Sequence, residues 1–295
     1  MKDYLVKATA CDGHVRIICV RTTDLVETTR EKHDMWPTSL AALGRVEAMG
    51  AIMGSMLKDE KEKVVLQING GGPIGTVLVE AKNNGDVRGF VGDPHQYLKY
   101  NDSNKLAVGP VVGNQGYLSV TKDLHLKDNF TGKVQLQTGE IGDDFAYYFT
   151  LSEQTPSAVS VGVLVGTDAK CQAAGGLLIQ MMPNAVEEDI QYVENVVGMM
   201  KPISTYMDEG KNPEEVVKML FPEAVILETS PVQFKCDCSK DRFKAALTTL
   251  KMEDLMDMKE NNHGCEVRCD YCNSYYQFTE EELDFIMEFK KSCSL

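Results

Sequence analysis

FKCDCS, residues 234–239, sets Cys236 and Cys238 one residue apart, and the meaning of that pair decides how the last part of the chain folds. A disulfide closing so small a ring is strained. Thirty residues separate it from a second close pair, CDYC at 269–272. Two thiol pairs divided by a helix-sized insertion match a tetrahedral four-sulfur site, in which each tight turn supplies two ligands and a zinc ion joins the turns. Cys236, Cys238, Cys269 and Cys272 are therefore the candidate ligands of one Zn2+ per chain in the reduced state. Cys265 and His263 lie close enough in sequence to replace one of them. Cys11, Cys19, Cys171 and Cys293 have no partner at metal spacing and read as core or surface thiols.

Residues 232–295, which contain both pairs, read as one small unit. Phe243, Leu247 and Leu250 mark a helix after Ser239. Thr279 and Glu282 form a capping box ahead of Leu283, Ile286 and Met287. So few apolar residues would struggle to hold a unit together, and a metal supplies the missing folding free energy. The unit carries 9 Lys or Arg against 13 Asp or Glu, the wrong sign for a nucleic-acid zinc ribbon. Zinc-bound thiolates are also the form that oxidants attack. Oxidation within each pair would remove the ligands, and a strained bridge of that kind is labile and regulatory.

Upstream, residues 184–231 hold ten Asp or Glu and only three Lys. Ile190, Val193, Val197 and Met200 form a helical stripe that Pro202 ends. Asn212-Pro213 starts a second short helix whose apolar face is Val216, Val217, Leu220 and Phe221. Short acidic helices depend on packing for stability, so this segment reads as a metastable helical linker. Residues 1–183 read as a mixed core. Strands are expected at Val64–Ile68, Thr76–Ala81, Val87–Val91, Leu118–Thr121, Val134–Gln137 and Ala158–Val165, with a helix between Pro37 and Lys58. Strands outnumber helices without strict alternation, which predicts an α+β fold over a doubly wound sheet.

The whole chain has 295 residues, 43% of them hydrophobic, and a net charge of −14. That charge argues against nucleic acid and anionic membranes as partners. No stretch has the length or pattern of a signal peptide or a membrane span, so a cytosolic location is expected. In a reducing compartment nine cysteines are not disulfide staples. No enzyme site stands out. Gly70, Gly72 and Gly75 spell G-x-G-x-x-G, but Thr76–Ala81 after them is strand-like, whereas a dinucleotide fingerprint opens a helix. Glu140, Asp143 and Asp144 fit an acidic first helical turn. No histidine accompanies the serines of SEQTPS, and His33, beside Asp34 and Trp36, reads as a surface or packing residue.

CDCSKDRF, ALTTL and EVRCDYCNSYYQF together resemble the redox-regulated 33 kDa heat-shock chaperones, the heat-shock protein 33 family. The resemblance continues through INGGGPIGTVLVEA, GDVRGFVGDP, TGEIGDDFAYYFTLSEQTPSAVSVGV and AAGGLLIQMMP, and spans essentially the whole chain. It implies an ATP-independent holdase of the bacterial cytoplasm that is zinc-bound and inactive when reduced. Oxidants with unfolding conditions would form two disulfides, Cys236–Cys238 and Cys269–Cys272, and expel zinc. Linker and zinc unit would unfold, the protein would dimerise, and unfolding clients would be captured. Cys265 has no counterpart in the family pattern, and a third thiol there can attack a new bridge. The linker residues Ile190, Val193, Val197, Met199, Met200, Val216, Leu220 and Phe221 are the candidate client surface, because flexible Met-containing faces suit promiscuous binding. The competing readings are a thiol–disulfide oxidoreductase using Cys269 and Cys272, a zinc redox sensor without chaperone activity, and a purely structural zinc domain.

Overall fold

The computed structural model describes residues 1–103, 105–126 and 128–293. Contacts divide the chain into two compact units, Met1–Lys235 and Cys236–Leu295. The first opens with the hairpin β1 (Tyr4–Ala10) and β2 (Val15–Arg21), then α1 (Thr23–His33) and α2 (Pro37–Ser55). Next come β3 (Lys63–Asn69), β4 (Val77–Lys82), β5 (Asp86–Val91), α3 (Val108–Val112), β6 (Tyr117–Asp123) and β7 (Phe130–Gln135). Then α4 (Gly142–Leu151), β8 (Ser157–Val165) and β9 (Cys171–Met181) lead to α5 (Glu187–Met199), α6 (Ile203–Asp208) and α7 (Pro213–Leu220). Two strands, β10 (Val225–Pro231) and β11 (Gln233–Phe234), end the unit. The α+β class read from the sequence is the class observed.

The strands make a five-stranded sheet of order β10-β1-β2-β9-β8 and a six-stranded sheet of order β11-β5-β4-β3-β6-β7. Helix α2 lies between them, touching β3, β4 and β5 of one and β2, β8 and β9 of the other. Its burial explains its composition: 17 of its 19 residues are buried, so it is apolar and small all round rather than amphipathic. A Cβ on Gly50 would stand 2.7 Å from Val79 Cγ1, and one on Gly54 would stand 2.8 Å from the Lys82 carbonyl oxygen. Those glycines let the helix pass close to β4.

The glycine motif joins two antiparallel strands, β3 and β4, as its β-branched continuation predicts. Its glycines serve backbone packing: a Cβ on Gly70 would fall 2.1 Å from the Gly113 carbonyl oxygen. The strand expected at Val134–Gln137 lies earlier, at Phe130–Gln135, because Asp144 takes the backbone N–H groups of Gln137 and Thr138 out of the ladder.

The outer face of the five-stranded sheet is covered by α5, α6 and α7. Ile17, Cys19, Leu177 and Ile179 of the sheet share a second apolar cluster with Val193, Ile203, Val216, Val217 and Phe221. The 184–231 segment thus belongs to the same contact unit as the sheets, and it ends in a strand as well as containing helices. β10 pairs antiparallel with β1 from Tyr4↔Pro231 to Thr9↔Val225. The run Val225-Ile226-Leu227 has the residue types of an edge strand.

The second unit contains α8 (Lys240–Leu247), α9 (Met252–Glu260), the hairpin β12 (Cys265–Arg268) and β13 (Tyr275–Phe278), and α10 (Glu280–Cys293). Ser239 Oγ caps α8 by accepting the Arg242 N–H at 3.2 Å. Thr279 and Glu282 make the reciprocal capping box of α10 at 3.3 and 3.0 Å. Among the described residues, the unit's buried apolar core is six side chains: Leu247, Leu255, Phe278, Leu283, Ile286 and Met287.

Candidate metal centre

Two turns of the second unit bring the cysteines together. The first pair lies in the extended run between β11 and α8, where Ser239 starts the helix directly after Cys238. The second lies in the turn between β12 and β13. There the Asn273 N–H donates to the Cys269 carbonyl at 2.8 Å, and the Cys269 N–H donates to the Ser274 carbonyl at 2.9 Å. Asn273 sits in the left-handed region with φ 56°, a conformation that asparagine tolerates and a tight turn requires.

The sulfurs of Cys236, Cys238, Cys269 and Cys272 all lie within 4.8 Å of one another. Sγ of Cys236 is 3.7 Å from Sγ of Cys269, and Sγ of Cys238 is 3.3 Å from Sγ of Cys272. These separations are far above a disulfide length of about 2.05 Å. They are near the ~3.8 Å edge of a tetrahedron whose corners lie about 2.3 Å from a central zinc. The donor set therefore fits zinc: four soft sulfurs, two from each turn, with Cys269 and Cys272 buried.

The surroundings tune the thiols. Burial pushes Cys269 up to about 12, against backbone hydrogen bonds from Tyr271 and Cys272. Burial also raises Cys272, but hydrogen bonding with the Ser274 hydroxyl and backbone, and with Cys238 and Cys269, outweighs it and brings this thiol down to about 7. Cys238 is held above the ordinary thiol range, first by burial. Outside the four sulfurs, Tyr276 Oη lies 3.2 Å from Cys238 Sγ and donates to the Cys238 carbonyl at 3.2 Å. Sequence spacing gave no sign of Tyr276 or Ser274, which reach the sulfurs only through the hairpin register. Neither Cys265 nor His263 joins the cluster: Cys265 starts β12 opposite Phe278, and His263 Nδ1 lies 2.9 Å from Glu280 Oε1.

With this geometry in hand, kinship is informative. The model of the Hsp33 protein family matches residues 3–279. The chain belongs to the Hsp33 family. A protein named 33 kDa chaperonin from Shouchella clausii is 48% identical over 290 residues, covering 98% of each chain. Another of that name, from Bacillus velezensis, is 46% identical over 283 residues, covering 96% of this chain and 97% of the relative. A crystal structure of the 33 kDa chaperonin of Thermotoga maritima, 35% identical, superposes with a TM-score of 0.91 over 99% of this chain and 100% of that one. Family membership and these names support a chaperone function.

The candidate client residues divide by burial. Val193, Val216 and Phe221 are buried in the apolar cluster beneath α5–α7, while Val197, Met200 and Leu220 are partly buried against it. Ile190 is half-buried and Met199 is exposed. Among the described residues, no helix is long and apolar enough to cross a membrane.

Proposed function

We propose that this chain is a redox-regulated, ATP-independent holdase of the bacterial cytoplasm, silent while Cys236, Cys238, Cys269 and Cys272 hold zinc and active once they are oxidised. The observation that carries it is a four-sulfur cluster closing a unit whose core is six side chains. Zinc, when bound, keeps the sulfurs as thiolates and cross-links the two turns, so binding free energy becomes folding free energy. A thiolate of the cluster attacks a peroxide oxygen, giving a sulfenic acid and releasing water or alcohol after protonation. A neighbouring thiol then displaces hydroxide, which leaves as water, and each such bridge removes two electrons from two sulfurs. Bridging Cys236 to Cys238 and Cys269 to Cys272 consumes all four donors.

The chain divides functionally into a core at 1–183, a linker at 184–231 and a redox unit at 232–295. Loss of the cross-link melts the redox unit, and the short helices α5–α7 lift from their sheet. Ile190, Val193, Val197, Met199, Met200, Val216, Leu220 and Phe221 then meet aggregation-prone clients, with two activated chains forming a homodimer. The lengths of these helices, 13, 6 and 8 residues, support this reading, because such helices hold only while docked.

The test measures zinc content and suppression of client aggregation on the same samples before and after peroxide with mild heat. One zinc per reduced chain, lost as holdase activity rises, is expected. Zinc loss without activity leaves a zinc redox sensor, retention under strong oxidant leaves a structural zinc domain, and insulin-reducing turnover marks an oxidoreductase.

A further inference from the structure

Cys265 is one of two cysteines of the second unit outside the four-sulfur set, the other being Cys293, and the β12–β13 hairpin is what keeps it from those four sulfurs. It begins β12 and pairs with Phe278, at the opposite end of the strand from Cys269. Four residues at about 3.3 Å each put the two Cα atoms roughly 13 Å apart while the strand lasts. Its side chain packs against the apolar cluster of Leu247, Phe278, Leu283 and Ile286. The side chain is partly buried there, and burial, then the nearby Glu282 carboxylate, holds the thiol above its ordinary range, which disfavours the reactive thiolate in the folded unit.

That protection depends on the metal turn. The hairpin is closed by the hydrogen bonds between Cys269, Asn273 and Ser274, and β13 carries Tyr276, whose hydroxyl holds Cys238. When the turn goes, a hairpin of two four-residue strands has little else to hold it. Cys265 is then separated from Cys269 by only three residues, Glu266, Val267 and Arg268. A flexible loop that short keeps the two sulfurs at high mutual concentration.

We propose that Cys265 is a withheld switch thiol, released when the unit melts, that exchanges with the Cys269–Cys272 bridge. The inference rests on the oxidation-activated reading above. The Cys265 thiolate attacks Cys269 Sγ; the 265–269 sulfur–sulfur bond forms as the 269–272 bond breaks. Cys272 leaves as a thiolate and takes up the proton that Cys265 lost. No net oxidation occurs. The oxidised unit is thus a pair of disulfide isomers in which one free thiol, besides that of Cys293, is shared between positions 265 and 272.

The experiment uses the full-length zinc-loaded chain. First, Cys265 alkylation is followed in reducing buffer with and without a zinc chelator, and at least a tenfold acceleration by the chelator is expected. Second, the chain is oxidised with peroxide and mild heat, quenched in acid and alkylated, and its bridges are mapped by mass spectrometry. The native chain should yield alkylated Cys272 and the Cys265–Cys269 bridge beside the Cys269–Cys272 bridge. Cys265→Ser, checked for one zinc when reduced, should yield the Cys269–Cys272 bridge alone. Equal alkylation rates with and without chelator overturn the withholding. Zinc release and holdase activity with Cys265 as the one alkylated residue of the three overturn the exchange while leaving the proposed function intact. Failure of oxidation to release zinc removes the function and this inference together.

Discussion

Asp144 is a fully buried carboxylate at the first turn of α4. Its Oδ1 accepts the N–H groups of Gln137, Thr138 and Gly139 at 2.7, 3.1 and 3.4 Å, and its Oδ2 accepts that of Ile141 at 3.0 Å. It holds Ile141, a β-branched residue, at φ 74°, a conformation that costs about 1–3 kcal/mol unless its surroundings impose it. Asp144→Ala should destabilise the first unit by about 3 kcal/mol or more, because four backbone donors lose their acceptor, those of Gly139 and Ile141 in buried positions. Urea unfolding of the two proteins measures it. Glu47 behaves in the opposite way. It is completely buried in α2, Oε1 accepts the Thr29 hydroxyl at 2.7 Å, and among the described residues Oε2 has no hydrogen-bond partner. Burial pushes this carboxyl up to about 8, and it pushes Asp3 nearby up to about 7. Both groups bind protons more tightly folded than unfolded. The stability these two groups contribute should therefore be greatest while they are protonated and fall as pH rises from the ordinary carboxylate range through about 8. Glu47→Gln should flatten that slope and stabilise the unit by about 2 kcal/mol at pH 8, read from denaturation midpoints at pH 6 and 8.

At the scale of elements, α7 is the best-defined piece of the 184–231 segment. Asn212 Oδ1 accepts the Glu215 N–H at 2.8 Å and Glu215 Oε2 accepts the Asn212 N–H at 2.9 Å, a reciprocal box on a helix with proline at its start. Tyr4 donates to Glu214 Oε2 at 2.5 Å and ties the helix to β1. Val216, Val217 and Phe221 are fully buried on the sheet. Phe221→Ala should cost about 3–4 kcal/mol of docking through the cavity it leaves. If lifting of this segment activates the chain, that variant should keep one zinc when reduced and suppress client aggregation at a lower peroxide dose. An unchanged dose response with confirmed helix loosening would separate the linker from activation. The capping box and proline of α7 are readable from sequence because they lie within four residues of each other. Strands β1, β2 and β9 are not: both faces of their sheet are covered, so β9 is buried at nine of its eleven positions and lacks the alternation that marks a strand.

At the scale of the molecule, the two units differ in what holds them. Met1–Lys235 buries a helix between two sheets and a second cluster beneath α5–α7. Among the described residues, Cys236–Leu295 has an apolar core of six buried side chains and a four-sulfur cluster. A strong chelator in reducing buffer should therefore melt the second unit and spare the first. Hydrogen exchange checks this: amides of β12, β13 and α10 should exchange at least about 100-fold faster, those of β3, β4 and β6 unchanged. Continued protection of β12 and β13 without metal would mean that the six-residue core suffices.

Features encoded by short spacing are legible in the chain alone. Cys236 and Cys238, Cys269 and Cys272, the Ser239 cap and the Thr279–Glu282 box each act within a few residues, so local chemistry specifies them before any tertiary contact exists. The glycine motif was legible as a strand connection for the same reason, since β-branched residues follow it directly. Which groups meet across long separations depends on the folded chain. The register of β12 against β13 excludes Cys265 from the sulfur cluster and delivers Tyr276 and Ser274 to it. Docking on the five-stranded sheet buries Val216 and Phe221, an apolar helix face that the sequence reads as part of the candidate client surface. Apolar periodicity reports that a face is buried somewhere; what covers it depends on partners hundreds of residues away in the chain, as Tyr4 and Glu214 are, and no local pattern encodes them.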